Sequence, residues 1–286
     1  RVVQVGGVDH RLEAQKLDVG ADLASLWYPN VQSVLYTSAT IAVGESFDHF
    51  DHSVGLDLLP KEDHRGITLR SGFDFDSHMT SVVARDMPAP NDRRYMDALV
   101  ELLFDVHVAM DGSVLTLFTN RREMERAYQA LRPRLLAEGL EVACQERRSS
   151  PRRLREQFVS KKSLSLFALK SFWEGFDAAG DTLRCVVIPK LPFASPRDPL
   201  VRERELREQR AWWRYSLPEA VLSVKQAAGR LIRTKTDTGV LVIADSRVSS
   251  KRYGQTFVRA LPTRSCIELE TRNVGRYIGM WRSSHE

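Results

Sequence analysis

The chain has 286 residues, with 42 lysines and arginines against 37 aspartates and glutamates, a net charge of +5 and an isoelectric point near 9.2. That length supports one large core or two small ones, and the small basic excess suits a polyanionic partner without requiring one. No apolar run approaches the ~18 residues that span a bilayer, RVVQVGGVDH lacks a signal-peptide pattern, and Cys144, Cys185 and Cys266 are too few and too scattered for a disulfide framework or metal knuckle, so reduced thiols in a cytoplasmic protein are expected, with no membrane partner.

The front third contains strand-like pieces, RVVQV, VQSVLYTSAT (31–40), GITLR (66–70) and MTSVVAR (79–85), with a short helix predicted at Ala21–Trp27 and loops rich in Asp, His and Gly. Because Arg1 falls inside a strand-like run, the chain reads as an excised piece. From Asp92 onward, helical and strand patterns alternate. Apolar spacing predicts a helix over Tyr95–Met110, a buried strand in SVLTLF (113–118) and a charged amphipathic helix over Arg121–Ala137 closed by Gly139. LEVACQ (140–145), SPRRLREQF (150–158), SLSLFAL (163–169) and TLRCVVI (182–188) continue the alternation, followed by a charged helix over 198–215. A helix over Pro218–Ile232, the strand GVLVIA (239–244) and a helix near Ser250–Ala260 complete it. Short apolar strands alternating with amphipathic helices imply an α/β fold of three layers, a mostly parallel sheet covered by helices on both faces.

Four stretches carry chemistry. In SVKQAAGRLIR (223–233), helical phasing places Gln226, Arg230 and Arg233 on one stripe, and Val221, Val224, Ala228 and Leu231 on the other. Gly229 inside a helix costs about 1 kcal/mol relative to alanine, which predicts a close approach to its backbone. A planar, permanently charged guanidinium meets phosphate oxygens in a fork, although ordinary solvated arginines give the same letters. SFWEGFD (171–177) follows a strand, where open α/β sheets place ligands; Glu174 and Asp177 would orient a Mg²⁺-bound nucleotide, and Trp173 packs or stacks. Thr119 and Asn120 end another strand, suited equally to phosphate contacts and to capping the next helix. LYTSATI (35–41) repeats that strand-then-hydroxyl design, and Phe193 with Arg197 pairs an aromatic ring with a cation, a base-stacking combination. FDHFDHS (47–53) fits no defined metal-ligand set and reads as a solvated polar loop.

In this order, TSAT, LFTN, SFWEGFD, IPKLPFASPRDPL, LPEAVLSVKQAAGRLIR and GVLVIADSR resemble the carboxyl-terminal part of the DinG/XPD-type helicases of superfamily 2, over about Val31–Pro262. The resemblance implies a RecA-like lobe that binds ATP against a first lobe and contacts single-stranded DNA. By resemblance, Gln226, Gly229, Arg230 and Arg233 are motif VI, facing the γ-phosphate. Glu174, Gly175 and Asp177 are motif V, linking nucleotide to DNA, with Ser171 and Trp173 of the same stretch on the nucleic-acid side, and Thr119 and Asn120 are motif IV on the DNA side. Thr37, Ser38 and Thr40 are a coupling motif III that belongs with the first lobe. The implied division is residues 1–65 as a returning fragment of the first lobe and 66–286 as the second lobe.

The sequence contains no G-x-x-x-x-G-K-[ST] and no DEAH-like acidic motif, so ATP and Mg²⁺ would be held mainly by a first lobe that it lacks. The family's four-cysteine iron–sulfur site has no counterpart in it either. The implied partners are single-stranded DNA and that missing amino-terminal lobe. A non-catalytic binding module on the same scaffold is the alternative, and a two-metal nuclease lacks a carboxylate cluster.

Overall fold

The structure, a computed structural model, describes residues 14–146, 150–169 and 182–286. By its contacts the chain divides into two units: Arg1–Arg70 with Phe193–Leu222, and Ser71–Pro192 with Ser223–Glu286. By these contacts the excursion 193–222 groups with the front segment.

In chain order, the described helices are α1 (Gly20–Asp22, continuing as a π-helical turn over Leu23–Trp27), α2 (Asp48–Val54), α3 (Phe75–His78), α4 (Tyr95–Met110) and α5 (Arg121–Ala137). They continue with α6 (Pro151–Ser160), α7 (Pro199–Arg207), α8 (Leu217–Ala228), α9 (Arg247–Ser250), α10 (Gly254–Ala260) and α11 (Thr271–Ser283). The strands are β1 (Met79–Ala84), β2 (Val114–Phe118), β3 (Val142–Cys144), β4 (Ser165–Leu169), β5 (Cys185–Ile188), β6 (Gly239–Ile243) and β7 (Cys266–Leu269).

All seven described strands lie in the larger unit and form one parallel sheet, ordered β3-β4-β2-β5-β6-β1-β7. Strands β1, β2 and β6 are buried at every residue, as continuous apolar runs in a sheet covered on both faces must be. Alternate residues build one core, where Val82, Val114, Phe118, Phe167, Val187 and Val242 meet Leu99, Leu103 and Val106 of α4, Met124 and Leu131 of α5, and Val274 and Ile278 of α11. The opposite set, including Leu115, Leu166, Val186 and Leu241, is equally buried, as are Leu154, Phe158, Val224, Ala227 and Phe257 from other helices.

Asp111, Gly112 and Ser113, all at positive φ, join α4 to β2. A Cβ on Gly112 would lie 2.0 Å from the Ser163 carbonyl oxygen, so only glycine fits. The helix expected near 250–260 starts only at Gly254, because α9 ends on an extended Lys251; a Cβ on Gly254 would stand 1.8 Å from the Val248 carbonyl oxygen, so only glycine fits there. The strand β7 and helix α11 are additional to the elements read from the sequence.

Beneath the sheet, His107 is fully buried; its Nδ1 lies 2.6 Å from the Leu103 carbonyl oxygen and its Nε2 has no hydrogen-bond partner. Burial pushes its pKa from the usual 6.5 down to about 4. Between those values the unfolded chain binds the proton and the folded chain does not, so stability falls as pH is lowered through that window. Urea unfolding of the chain at pH 7 and pH 5 is expected to show a loss of about 2 kcal/mol from this residue. In His107→Leu that acid-dependent component disappears; an unchanged pH slope would refute the assignment.

In the smaller unit, the predicted helix at Ala21–Trp27 is present as α1 and its π-helical turn. VQSVLYTSAT and GITLR form no strand. Their apolar residues Leu35, Ile67 and Leu69 are 87%, 62% and 84% exposed: the alternation is right for a strand, but neither segment pairs with a described strand. FDHFDHS is helix α2 rather than a loop, and it ends on Gly55 at φ 77. His52 Nδ1 lies 2.8 Å from Asp57 Oδ2 and its Nε2 2.8 Å from the Tyr215 hydroxyl, so the histidine bridges α2 to the 193–222 segment. No group of three potential metal ligands occurs among the described residues. The helix expected over 198–215 stops at Arg207, turns through an extended Glu208 and resumes as a π-helix over Trp212–Ser216.

Candidate nucleotide and nucleic-acid site

Parallel strands deliver their carboxyl ends to one edge of the sheet, where open α/β sheets place ligands. Thr119 and Asn120 leave β2 and are exposed. Asn120 is the N-cap of α5, its Oδ1 accepting from Arg122 N at 2.9 Å, so capping is the role its side chain fills. Beyond β4, the candidates Ser171, Trp173, Glu174, Gly175 and Asp177 lie outside the described residues.

At the β5 exit, Lys190 reaches Glu123 Oε1 at 2.6 Å and its ammonium lies 4.6 Å from the centre of the Tyr95 ring. The Tyr95 hydroxyl donates to the Pro189 carbonyl at 2.8 Å, and burial pushes its pKa far up, so it stays a neutral donor. At the neighbouring β6 exit, Asp245 is 1% exposed. One of its oxygens accepts from Leu191 N at 2.8 Å and from Arg247 Nη2 at 2.6 Å; the other accepts from Arg247 N and Nε at 3.0 and 2.9 Å. Asp245 therefore staples two adjacent strand exits together. Sequence reasoning assigned Asp245 and Arg247 no role, although the ADSR tail of a buried strand placed an acid at the ligand edge.

Helix α8 ends at Ala228, four residues short of the predicted Ile232. Its last hydrogen bonds tighten from Gly229 N to Lys225 O at 2.9 Å to Arg230 N to Ala227 O at 3.3 Å and Leu231 N to Ala228 O at 3.1 Å. A turn over 233–237 follows, in which buried Asp237 accepts from Arg233 N at 2.7 Å, Thr234 N at 2.8 Å and Thr234 Oγ1 at 2.6 Å. The single stripe of Gln226, Arg230 and Arg233 therefore does not form. Gln226 is half-buried on the helix, Arg230 is 5% exposed in the turn after it, and Arg233 is exposed in the Asp237 loop. Val221, Val224, Ala228 and Leu231 are buried, as the phasing predicts. No other element crowds Gly229, where a Cβ would meet only Lys225 O at 3.4 Å and Gln226 O at 3.8 Å; the close approach expected there is absent among the described residues.

The remaining candidates lie in the smaller unit. Thr37 and Ser38 are exposed, and Ser38 Oγ accepts from Thr40 N at 3.2 Å in a local turn. Arg197 is exposed, while Phe193 is half-buried with its ring centroid 5.5 Å from that of Trp212.

The model of the helicase C-terminal domain family matches residues 103–264, which take in β2 through β6, α8 and the Asp245 staple. The chain belongs to this family. It is 34% identical to the ATP-dependent DNA helicase YoaA of Haemophilus influenzae over 85% of its length and 37% of that protein's. It is 37% identical to YoaA of Escherichia coli over 80% and 35%, and 31% identical to the 3′-5′ exonuclease DinG of Bacillus subtilis over 93% and 29%. The chain thus spans about a third of the length of these relatives. Among solved structures, an XPD helicase matches with a TM-score of 0.53 at 18% identity over 67% of this chain and 35% of that one. Xpd4 of S. tokodaii matches at 0.51, with 14% identity over 74% and 42%. The fold is that of a RecA-like helicase lobe, and the chain's relatives include proteins named YoaA and DinG.

Proposed function

We propose that this chain is the second motor lobe of an ATP-dependent DNA helicase and supplies half of a composite ATP site. The observation that carries the reading is that the helicase C-terminal match spans QAAGRLIR and its surrounding sheet, while the sequence has no phosphate-binding loop. ATP and Mg²⁺ would be held mainly by the first lobe, residues 1–65 being a returning fragment of it and 66–286 the second lobe. Bound between two lobes, the nucleotide supplies the phosphoryl group and Mg²⁺ its charge neutralisation.

Arg230 and Arg233 carry permanent positive charge to the γ-phosphate side of that site, and Gln226 orients what lies between them. Arg233 is exposed and its backbone N–H is held by Asp237, whereas Arg230 is preorganised by burial. Glu174, Gly175 and Asp177 are assigned to the nucleotide side, with Ser171, Trp173, Thr119, Phe193 and Arg197 on the strand side. Asn120 would act through the cap that orients α5. Thr37, Ser38 and Thr40 couple the two activities. Single-stranded DNA and the first lobe are the partners, in the cytoplasm. No described helix is long and apolar enough to cross a membrane.

The purified chain alone is expected to hydrolyse ATP no faster than its Arg230→Ala/Arg233→Ala double variant, and the full-length protein to do so in a DNA-dependent manner. Turnover by the lone chain above that control would overturn the composite-site reading.

A further inference from the structure

In the smaller unit, three aromatic rings stand in a row. Phe193 and Trp212 have centroids 5.5 Å apart with planes inclined at 30°, and Trp212 and Trp213 have centroids 4.9 Å apart with planes at 86°. Phe193 and Trp212 are half-buried, whereas Trp213 is 57% exposed. A large aromatic surface turned to water costs apolar burial, so one braced from behind by two further rings asks for an occupant. The row ends in the π-helical segment Trp212–Ser216, whose Leu217 N donates to Trp212 O; such turns recur at functional sites.

The charges around it point to the occupant's chemistry. Arg204 pairs with Glu219, Arg207 with Glu203 and Arg214 with Glu208, at 2.9, 2.7 and 2.9 Å. These pairs leave exposed Arg197, Arg202 and Arg210 without an ion pair among the described residues, against Asp198 and Glu205. Asp198 is also occupied, as the N-cap that accepts from Leu200 N at 2.8 Å. The surplus is cationic and lies on the chain segments flanking the exposed ring. Arg210 lies three residues before the ring, its carbonyl accepting from Trp213 N at 3.0 Å, and an exposed aromatic on a segment with unpaired guanidinium groups matches an unstacked base with its phosphates better than an apolar protein surface, where the arginines would have to be desolvated.

We infer that Trp213 is the base-stacking platform of this chain, seating a base of single-stranded nucleic acid, with Arg197 and Arg210 serving the adjoining phosphates. Phe193, which the sequence nominated, is the half-buried brace of that platform rather than its face. The inference rests on the helicase-lobe reading for the identity of the polymer.

The test uses the full-length protein and a fluorescein-labelled oligothymidylate at fixed salt. Trp213→Ala is expected to raise Kd by about 5- to 150-fold, the range measured for loss of one base–aromatic stack, and Trp213→Phe to stay within about threefold of wild type. Scanning a single abasic site along the oligonucleotide is expected to reveal one position whose loss weakens wild type but not Trp213→Ala, which places a base on that ring. Wild-type protein that fails to bind the oligonucleotide would overturn the helicase-lobe reading itself. Wild-type binding with Trp213→Ala unchanged overturns the platform alone and assigns the ring to a protein contact. A Trp213→Phe variant as weak as Trp213→Ala also overturns it, since stacking survives in phenylalanine.

Discussion

Arg230→Ala in the full-length protein is expected to lower ATP turnover by about 10³- to 10⁵-fold while leaving single-stranded DNA affinity within a few-fold of wild type. The magnitude is that of an arginine finger, roughly 4–7 kcal/mol of barrier. It is large because a guanidinium held in a water-poor environment stabilises developing charge on the transferred phosphoryl group without reorganising. Arg230 is 5% exposed, in the turn that directly follows α8, so its position is set by folding. Arg230→Lys should recover little, since an ammonium cannot reproduce the planar fork. Burial also means that truncation has a structural component, and thermal unfolding measured beside turnover separates it: a modest drop in Tm with turnover abolished is the expected pattern. Equal losses of hydrolysis and DNA affinity would refute the assignment and make Arg230 a nucleic-acid phosphate contact.

The contrast between α4 and α8 shows where the sequence is readable. Tyr95–Met110 and Arg121–Ala137 agree with the structure at both ends, because their apolar periodicity stops where left-handed residues or a capping asparagine begin. The strands of the sheet were legible as short apolar runs, since full burial on both faces leaves no polar alternation to find. In α8 the pattern misleads: Leu231 and Ile232 continue the apolar spacing and are indeed buried, but as residues of a turn secured by Asp237. Periodicity reports burial, and here burial outlasts the helix by four residues. Helix α11 carried a signal in Val274 and Ile278, spaced i, i+4 and fully buried, with Tyr277 and Trp281 packing beside them and Arg272, Arg276 and Arg282 interspersed. In VQSVLYTSAT the local pattern is that of a strand, and a strand exists only with a neighbour, which no local pattern supplies. At the site, the residue types were legible but their commitments were not. Nothing in LFTN decides that Asn120 spends its carbonyl on Arg122 N, and nothing in ADSR shows that Asp245 is buried among donors from two loops.

That burial makes Asp245→Ala the substitution expected to cost the larger unit most. Removing the carboxylate strands the Leu191 N–H and leaves the Arg247 guanidinium, 27% exposed, without the partner it meets through Nε and Nη2. Breaking one side of a buried, hydrogen-bonded ion pair costs about 3–5 kcal/mol, a large fraction of the 5–15 kcal/mol that holds a typical domain together. Asp245→Asn keeps the size and one acceptor oxygen but turns a donor toward Arg247 or Leu191 N, and should fall between wild type and alanine. Urea unfolding checks the order through the midpoint at constant m-value. The double variant Asp245→Ala/Arg247→Ala should cost less than the two single losses added together, because removing both partners leaves no unpaired charge behind. If the losses add fully, or if Asp245→Ala costs under about 1 kcal/mol, the staple is not what fixes the two strand exits. Its geometry argues for the larger figure: two oxygens accept from four donor groups of two loops, in a site 1% open to the water that would otherwise replace them.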